Sequence, residues 1–174
     1  MDQKSALSIG ETEDTALGKF WLAGSDLGLV AVEWGLTRAE FEAYLSRRFK
    51  RVALYAPEQL HEAEDQLTEY LIGRRRVFTL AIDWTVLRPF QDSVLHATCA
   101  IPYGETRTYK DITEAIGRPR AARAVGRAEA TNPMPLVIPC HRVIGVDGKL
   151  HGYGMAQGLK TKEWLLRMEG AVIA

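Results

Sequence analysis

Thr108-Tyr109-Lys110-Asp111-Ile112-Thr113-Glu114-Ala115-Ile116-Gly117-Arg118-Pro119, followed by Arg120-Ala121-Ala122-Arg123-Ala124-Val125-Gly126-Arg127-Ala128-Glu129-Ala130-Thr131-Asn132-Pro133, decides the architecture of the second half of this 174-residue chain. Thr108 is placed to cap a helix running through Ile116, and Gly117-Arg118-Pro119 breaks it. Arg120–Ala130 reads as a second helix, which Asn132-Pro133 stops. Two short helices joined by a tight glycine-containing turn have the form of a helix-turn-helix. The second helix is nearly bare: Ala121, Ala122, Ala124, Gly126, Ala128 and Ala130 are small, and Arg123, Arg127 and Glu129 project. Small residues let a backbone approach either a neighbouring helix or a nucleic-acid groove, where arginines meet phosphate or stack on bases. Residue types alone leave both open. Glu129 and Ala130 stand where a further basic residue would help, and a like charge there weakens a phosphate contact.

Upstream, Pro89 suits the first turn of a helix to about Ala100, with Phe90, Val94, Leu95 and Cys99 on one face. Downstream, the apolar run Leu136-Val137-Ile138 delivers Pro139-Cys140-His141-Arg142, so Cys140 sits at the exit of a packed segment. A thiolate is a nucleophile, and a neighbouring histidine oriented by an acid can activate it. A lone Cys-His pair also occurs as plain packing. The four histidines (His61, His96, His141, His151) show no metal-ligand spacing, and Val143 stands where a zinc deaminase motif needs its second cysteine. No metal and no cofactor is expected.

The first half reads as mixed α and β. Lys19–Ala23 and Leu29–Trp34 are strand-like runs, with turn chemistry at Gly24-Ser25-Asp26-Leu27-Gly28, so a hairpin is expected. Thr37-Arg38-Ala39-Glu40 is a capping box ahead of a helix carrying Phe41, Tyr44, Leu45 and Arg48. A second helix follows Pro57, with Leu60, Ala63, Leu67, Tyr70 and Leu71 as its apolar stripe. Gly73 ends it, and Arg74-Arg75-Arg76 complement its negative end. Val77–Leu87 reads as an extended connection, giving domains at 1–87 and 88–174.

With 22 basic and 22 acidic side chains the net charge is zero, which excludes a generally polybasic binder. The sum hides an asymmetry: residues 1–87 hold 10 Lys/Arg against 14 Asp/Glu, and residues 88–174 hold 12 against 8. In 107–142, Arg107, Lys110, Arg118, Arg120, Arg123, Arg127 and Arg142 face only Asp111, Glu114 and Glu129. That excess suits an anionic partner or simply a solvated surface. No run approaches the roughly 20 apolar residues of a membrane span. The two cysteines, Cys99 and Cys140, make no disulfide framework, so a reducing compartment is expected, cytoplasmic or, in a eukaryote, nuclear.

Several motifs in one order resemble the O6-alkylguanine-DNA alkyltransferases, also called methylated-DNA–protein-cysteine methyltransferases. They are Ile101-Pro102-Tyr103-Gly104-Glu105, Thr108-Tyr109, Ala121-Ala122-Arg123-Ala124-Val125-Gly126, Asn132-Pro133, Ile138–Val143, Gly152-Tyr153 and Lys162-Glu163-Trp164-Leu165-Leu166. The resemblance runs from Pro89 to Glu169 and covers the first half only in general layout. It implies an α/β N-terminal scaffold domain of ribonuclease-H-like topology and a mainly helical C-terminal domain with a winged helix-turn-helix. It further implies direct-reversal repair of double-stranded DNA by a monomer. Cys140 would take the alkyl group from O6 of guanine, once and irreversibly. His141 would polarise the thiol through a water, Glu169 would orient His141, and Asn132 would be the hinge between helix and acceptor. Tyr109 would help expel the base and donate toward the guanine ring.

By the same resemblance Arg123 is the finger that fills the vacated place in the duplex. Thr108, Ala122, Ala124, Gly126 and Arg127 complete the DNA-binding face, and Pro135, Val143, Tyr153, Gly154 and Met155 line the pocket. Flipping a base costs roughly a few kcal/mol, which such contacts would offset. The run from Tyr153 to Lys162 is longer than the family's pattern, adding residues to the pocket wall within 154–158. A non-repairing binder of alkylated DNA would lack the acceptor thiol, and Cys140 argues against it. A cysteine hydrolase with an incidental helix-turn-helix is the remote alternative.

Overall fold

A computed structural model describes residues 6–152 and 158–173. The chain forms two compact units, Met1–Val86 and Leu87–Ala174. Among the described residues no helix is long and apolar enough to cross a membrane.

The first unit comprises β1 (Leu7–Glu11), β2 (Phe20–Ser25), β3 (Gly28–Trp34), α1 (Arg38–Phe49), β4 (Ala53–Tyr55) and α2 (His61–Leu71). Its sheet has the order β3-β2-β1-β4, with β1 antiparallel to β2 and parallel to β4. β2 and β3 form the expected hairpin, closed by Ser25 opposite Gly28. Gly28 is required there: its φ is +139°, and a Cβ would lie 2.5 Å from the Ala81 carbonyl oxygen. Phe20 to Gly24 are all buried, so both faces of the sheet are covered. Trp21 and Ala23 join Leu7, Ile9, Phe41, Leu45 and Phe49 in the core under α1. Phe20 and Leu22 point the other way. There the Phe20 ring lies 4.7 Å from that of Trp34, and Gly24 sits against Leu60 at the start of α2.

Local chemistry sets the helix ends. The Glu40 amide donates to Thr37 Oγ1 at 3.3 Å and the Thr37 amide to Glu40 Oε2 at 2.7 Å, completing the capping box. Gly73, at φ +75°, follows α2, and Arg75 pairs with Glu69 at 2.7 Å. The stretch expected to be extended after residue 77 is largely irregular. Ile82 makes one bridge to Leu29, and Trp84–Val86 is a single 3-10 turn. The reason lies in Gln66, whose side chain takes the Thr79 amide at 2.9 Å and so occupies the hydrogen bond a strand partner would have made. β1 and β4 were not expected. They are short, and β4 leaves Leu54 and Tyr55 exposed, so neither shows a strong alternation.

The second unit comprises α3 (Pro89–Cys99), β5 (Arg107–Thr108), α4 (Tyr109–Ala115), α5 (Ala122–Ala130), β6 (Val143–Ile144) and α6 (Leu159–Met168). Thr108 caps α4 as expected, and Asp111 completes the box by accepting the Thr108 amide at 2.7 Å. Gly117, at φ +67°, turns the chain toward α5. α5 starts at Ala122, because Arg118–Ala121 closes a separate turn through the Ala121 amide and the Arg118 carbonyl, 2.9 Å apart. In α3, Cys99 is exposed and Thr98 is fully buried, so Thr98 holds the inner position assigned to Cys99. The parallel β5–β6 pair sets Arg107 opposite Val143 and Thr108 opposite Ile144. It thereby brings the start of α4 beside the chain just after Cys140.

Removing the buried Phe41 ring is expected to cost about 3–5 kcal/mol, and removing the Thr37 cap about 1 kcal/mol. Urea unfolding of Phe41→Ala and Thr37→Ala checks the order; a larger loss from Thr37→Ala would contradict this packing.

Candidate active site

Cys140 opens a short 3-10 turn, Cys140–Arg142, reached through the buried run Leu136-Val137-Ile138. Its amide donates to the Ile138 carbonyl at 2.8 Å. Asn132 Nδ2 donates to the same carbonyl at 2.9 Å, while Asn132 Oδ1 accepts the Met134 amide at 2.9 Å. Asn132 follows α5 and binds back to it through the Glu129 carbonyl at 3.1 Å. One asparagine therefore ties the end of α5 to the cysteine. Leu136 takes a left-handed conformation, φ +72°, within this tight path. Pro135 bridges to Ile138, and both Pro135 and Val143 are buried.

Cys140 is 6% exposed. Burial pushes its pKa up to about 12; the charge of Glu129 adds to this, and a hydrogen bond from Asn132 and the charge of Lys162 act against it. Next to it, His141 is fully buried, and burial lowers its pKa. His141 Nε2 lies 2.9 Å from Glu169 Oε1. A neutral imidazole beside a carboxylate carries its proton on that nitrogen, which makes Nδ1 the basic one.

Glu169, just past α6, holds the cluster together. Arg142 Nε donates to Oε2 and Arg142 Nη2 to Oε1, each at 2.9 Å, and the Gly104 amide donates to Oε2 at 3.3 Å. Arg142 Nη1 donates to the Ile101 carbonyl at 2.6 Å. Burial alone would raise the Glu169 carboxyl, but the His141 and Arg142 hydrogen bonds and charges together hold it well below the usual carboxylate range. Arg142, counted from sequence in the basic segment, is thus buried and spent on Glu169; it adds nothing to a basic surface.

Across the site, the Tyr109 hydroxyl donates to the His151 carbonyl at 3.2 Å. Burial pushes its pKa up to about 12, helped by the charges of Glu129 and Cys140, so the phenol keeps its proton. Lys162 is fully buried on α6. Its ammonium donates to the carbonyls of Val143 at 2.5 Å and His151 at 2.9 Å, and sits 5.8 Å from the Tyr109 ring centre. Burial lowers the Lys162 pKa to about 8. Tyr153, Gly154 and Met155 lie outside the described residues.

On α5, Ala122, Arg123, Ala124 and Arg127 are exposed, Gly126 is half-buried, and Val125, Ala128 and Glu129 face inward. Glu129 therefore does not project toward a phosphate as its charge suggested; it is 4% exposed and hydrogen-bonded to Thr98. The spacing of Val125, Ala128 and Glu129 is that of one helix face, and this periodicity was the signal that would have placed it inside.

A family model described as 6-O-methylguanine DNA methyltransferase, DNA binding domain, matches residues 89–171. A second, described as the ribonuclease-like domain of the same methyltransferase, matches residues 10–84. The chain belongs to the 6-O-methylguanine DNA methyltransferase family. The methylated-DNA–protein-cysteine methyltransferase of Methanosarcina barkeri is 44% identical over 164 residues, covering 90% of this chain and 93% of its own. That of Salmonella typhimurium is 39% identical over 165 residues, covering 91% and 94%. A crystal structure of Mycobacterium tuberculosis OGT in complex with DNA matches with a TM-score of 0.76 at 36% identity, over 95% of this chain and 93% of that one.

In this 6-O-methylguanine DNA methyltransferase chain, Arg142, Lys162, Thr98 and Gly104 join the site without having been singled out individually from sequence. A long charged side chain normally lies at the surface, so nothing local marks Arg142 or Lys162 as buried. Glu169→Gln leaves the Arg142 guanidinium buried with half its partner, at a cost of about 3–5 kcal/mol. Because the Glu169 carboxyl is depressed, its stabilisation is present above the unfolded value of 4.5 and lost as pH falls below it. Denaturant unfolding should show a gap between wild type and Glu169→Gln that is constant above pH 5 and narrows steadily as pH falls from 4.5 through pH 3 and below; an unchanged gap would contradict the ion pair.

Proposed function

We propose that this protein repairs DNA by direct reversal, moving the alkyl group of O6-alkylguanine in a duplex onto Cys140. One observation carries the reading. A buried cysteine, preceding a histidine held by a carboxylate, is tied through Asn132 to the end of an exposed, arginine-bearing helix.

The chemistry follows from the proton positions. The thiol rests protonated, so attack needs a base. His141 takes the S–H proton at Nδ1, through a water, while Nε2–H stays on Glu169. The sulfur electron pair forms the S–C bond, the C–O6 bond breaks, and its electrons remain on guanine. Tyr109, which keeps its proton, donates toward the guanine ring as that charge develops. Lys162 opposes the negative charge on the sulfur. The thioether has no route back to a thiol, so each molecule acts once.

A base inside a stacked duplex hides its O6, so it must be turned out. Arg123 fills the space it leaves, while Thr108, Ala122, Ala124, Gly126 and Arg127 meet the groove and backbone. Gly126 supports this assignment. A Cβ there would touch nothing within the protein, so the fold does not require glycine. A helix-interior glycine costs about 1 kcal/mol relative to alanine, and an approaching duplex is a reason to keep it. Val143 and Pro135, with the segment at Tyr153, Gly154 and Met155, would form the pocket. The first unit carries none of these residues and acts as a scaffold. Both cysteines are free thiols, in keeping with a reducing, cytoplasmic setting; the protein is proposed to be a monomer.

Incubation with duplex DNA carrying labelled O6-methylguanine should leave one equivalent of label on Cys140 and none on Cys140→Ala. Wild type left unlabelled at a stoichiometric lesion would overturn the reading, and repeated turnover on an ester or amide would favour a hydrolase. Arg123→Ala should slow duplex repair at least about tenfold more than it slows reaction with free O6-benzylguanine, the loss of roughly 1.4 kcal/mol of duplex-specific contact. Equal losses on the two substrates would remove the finger role.

A further inference from the structure

We infer that Glu129 is a positioning residue that works as a neutral acid, clasping α5 to α3 so that the acceptor segment stays in register with the DNA-facing helix. The inference rests on the alkyl-transfer reading, because it concerns the same helix and the same thiol.

The hydrogen count carries it. Thr98 Oγ1 lies 3.0 Å from the Val94 carbonyl oxygen and is also hydrogen-bonded to Glu129 Oε1. A hydroxyl has one hydrogen. A carbonyl and a carboxylate both only accept, so that hydrogen cannot serve both. A neutral carboxyl satisfies the set: Glu129 Oε1–H donates to Thr98 Oγ1, and Thr98 donates to Val94. Glu129 Oε2 is buried with no hydrogen-bond partner among the described residues. That is tolerable for the carbonyl of an acid and costly for a carboxylate. Burial also pushes the Glu129 pKa up to about 8, against the pull of the Thr98 hydrogen bond and the Lys162 charge.

The clasp reaches the thiol through bonds already described. The Glu129 carbonyl accepts the Asn132 amide, and Asn132 shares the Ile138 carbonyl with the Cys140 amide. Four groups face the carboxyl: Thr98 from α3, Lys162 from α6, Tyr109 from α4, and Cys140 from the acceptor turn. Tyr109 and Cys140 titrate near 12, well above the range in question, while Lys162 titrates near 8. Once ionised, Glu129 cannot donate to Thr98, and a carboxylate without hydrogen bonds on Oε2 draws water into the α3–α5 seam. α5 then loosens as pH rises.

The test is amide hydrogen exchange of residues 122–130 in the full chain, wild type against Glu129→Gln, at pH 6.5 and pH 9. Comparison at matched pH cancels the intrinsic rate. The Gln side chain keeps a neutral donor for Thr98 and does not titrate. The ratio of wild-type to Glu129→Gln exchange should therefore rise about thirtyfold between pH 6.5 and pH 9, as the closed-state acid ionises through its midpoint of about 8. A ratio that does not change with pH overturns the clasp; pH dependence common to both proteins belongs to Lys162. The same samples are assayed for label transfer from an O6-methylguanine duplex. Exchange that diverges at pH 9 in proteins that accept no label keeps the clasp and removes the repair reading. Label accepted by both with a constant exchange ratio does the reverse. If Glu129→Gln does not fold, infrared spectra of ¹³C-glutamate protein decide. They are taken in a Glu33→Gln, Glu64→Gln background, which removes the other glutamates raised by burial. A neutral carboxylic acid band at pH 7 that disappears by pH 9.5 is expected, and its absence at pH 7 overturns the inference.

Discussion

The second unit is organised around one buried carboxylate. Glu169 accepts from His141, from two nitrogens of Arg142 and from the Gly104 amide, so its charge is solvated by protein where water cannot reach. The Arg142 cation makes that charge tolerable in the interior. It also prevents Glu169 from taking the imidazole proton outright. What is left for His141 is orientation: Nε2 is committed to Glu169, and the basic nitrogen is the other one. The tight turn at Cys140–Arg142 then places cysteine, histidine and arginine in consecutive positions with three different tasks.

The same part of the molecule manages a second conflict. A thiol buried enough to exclude water is a weak acid, and burial pushes Cys140 far up. Lys162 is the buried cation that acts on it, anchored on the carbonyls of Val143 and His151. Glu129 acts in the opposite sense when charged and not at all when neutral. Keeping this acid protonated at working pH thus serves both the helix seam and the thiol.

The helix-turn-helix, the hairpin, the Thr37 capping box, the Thr108 cap and the acceptor segment were legible in the sequence, because each rests on local chemistry: Thr37 with Glu40, Thr108 ahead of its helix, Gly28 at a turn, and apolar residues leading to Cys140. The inward charges were not. Arg142 looked like part of a basic surface, and Glu129 like an acid facing phosphate. Both are buried by partners distant in sequence, Glu169 and Thr98; nothing local marks Arg142, and for Glu129 the one local sign is its helical spacing with Val125 and Ala128. Cys99 and Thr98 were exchanged for the same reason, since a one-residue rotation of α3 is decided by what packs on it. The zero net charge is sharpened too. With Arg142 and Glu129 withdrawn into the interior, the outer face of α5 carries Arg123 and Arg127 without an acid of its own.

The central claim is that His141 stands as a neutral imidazole with its proton on Nε2, ready to take the thiol proton at Nδ1. Nitrogen-15 NMR of the histidine ring reads this directly. At pH 7 the account predicts a protonated Nε2 and an unprotonated Nδ1 for His141 in wild type, with the distinction lost in Glu169→Gln. An imidazolium at pH 7, or the proton on Nδ1, would contradict it.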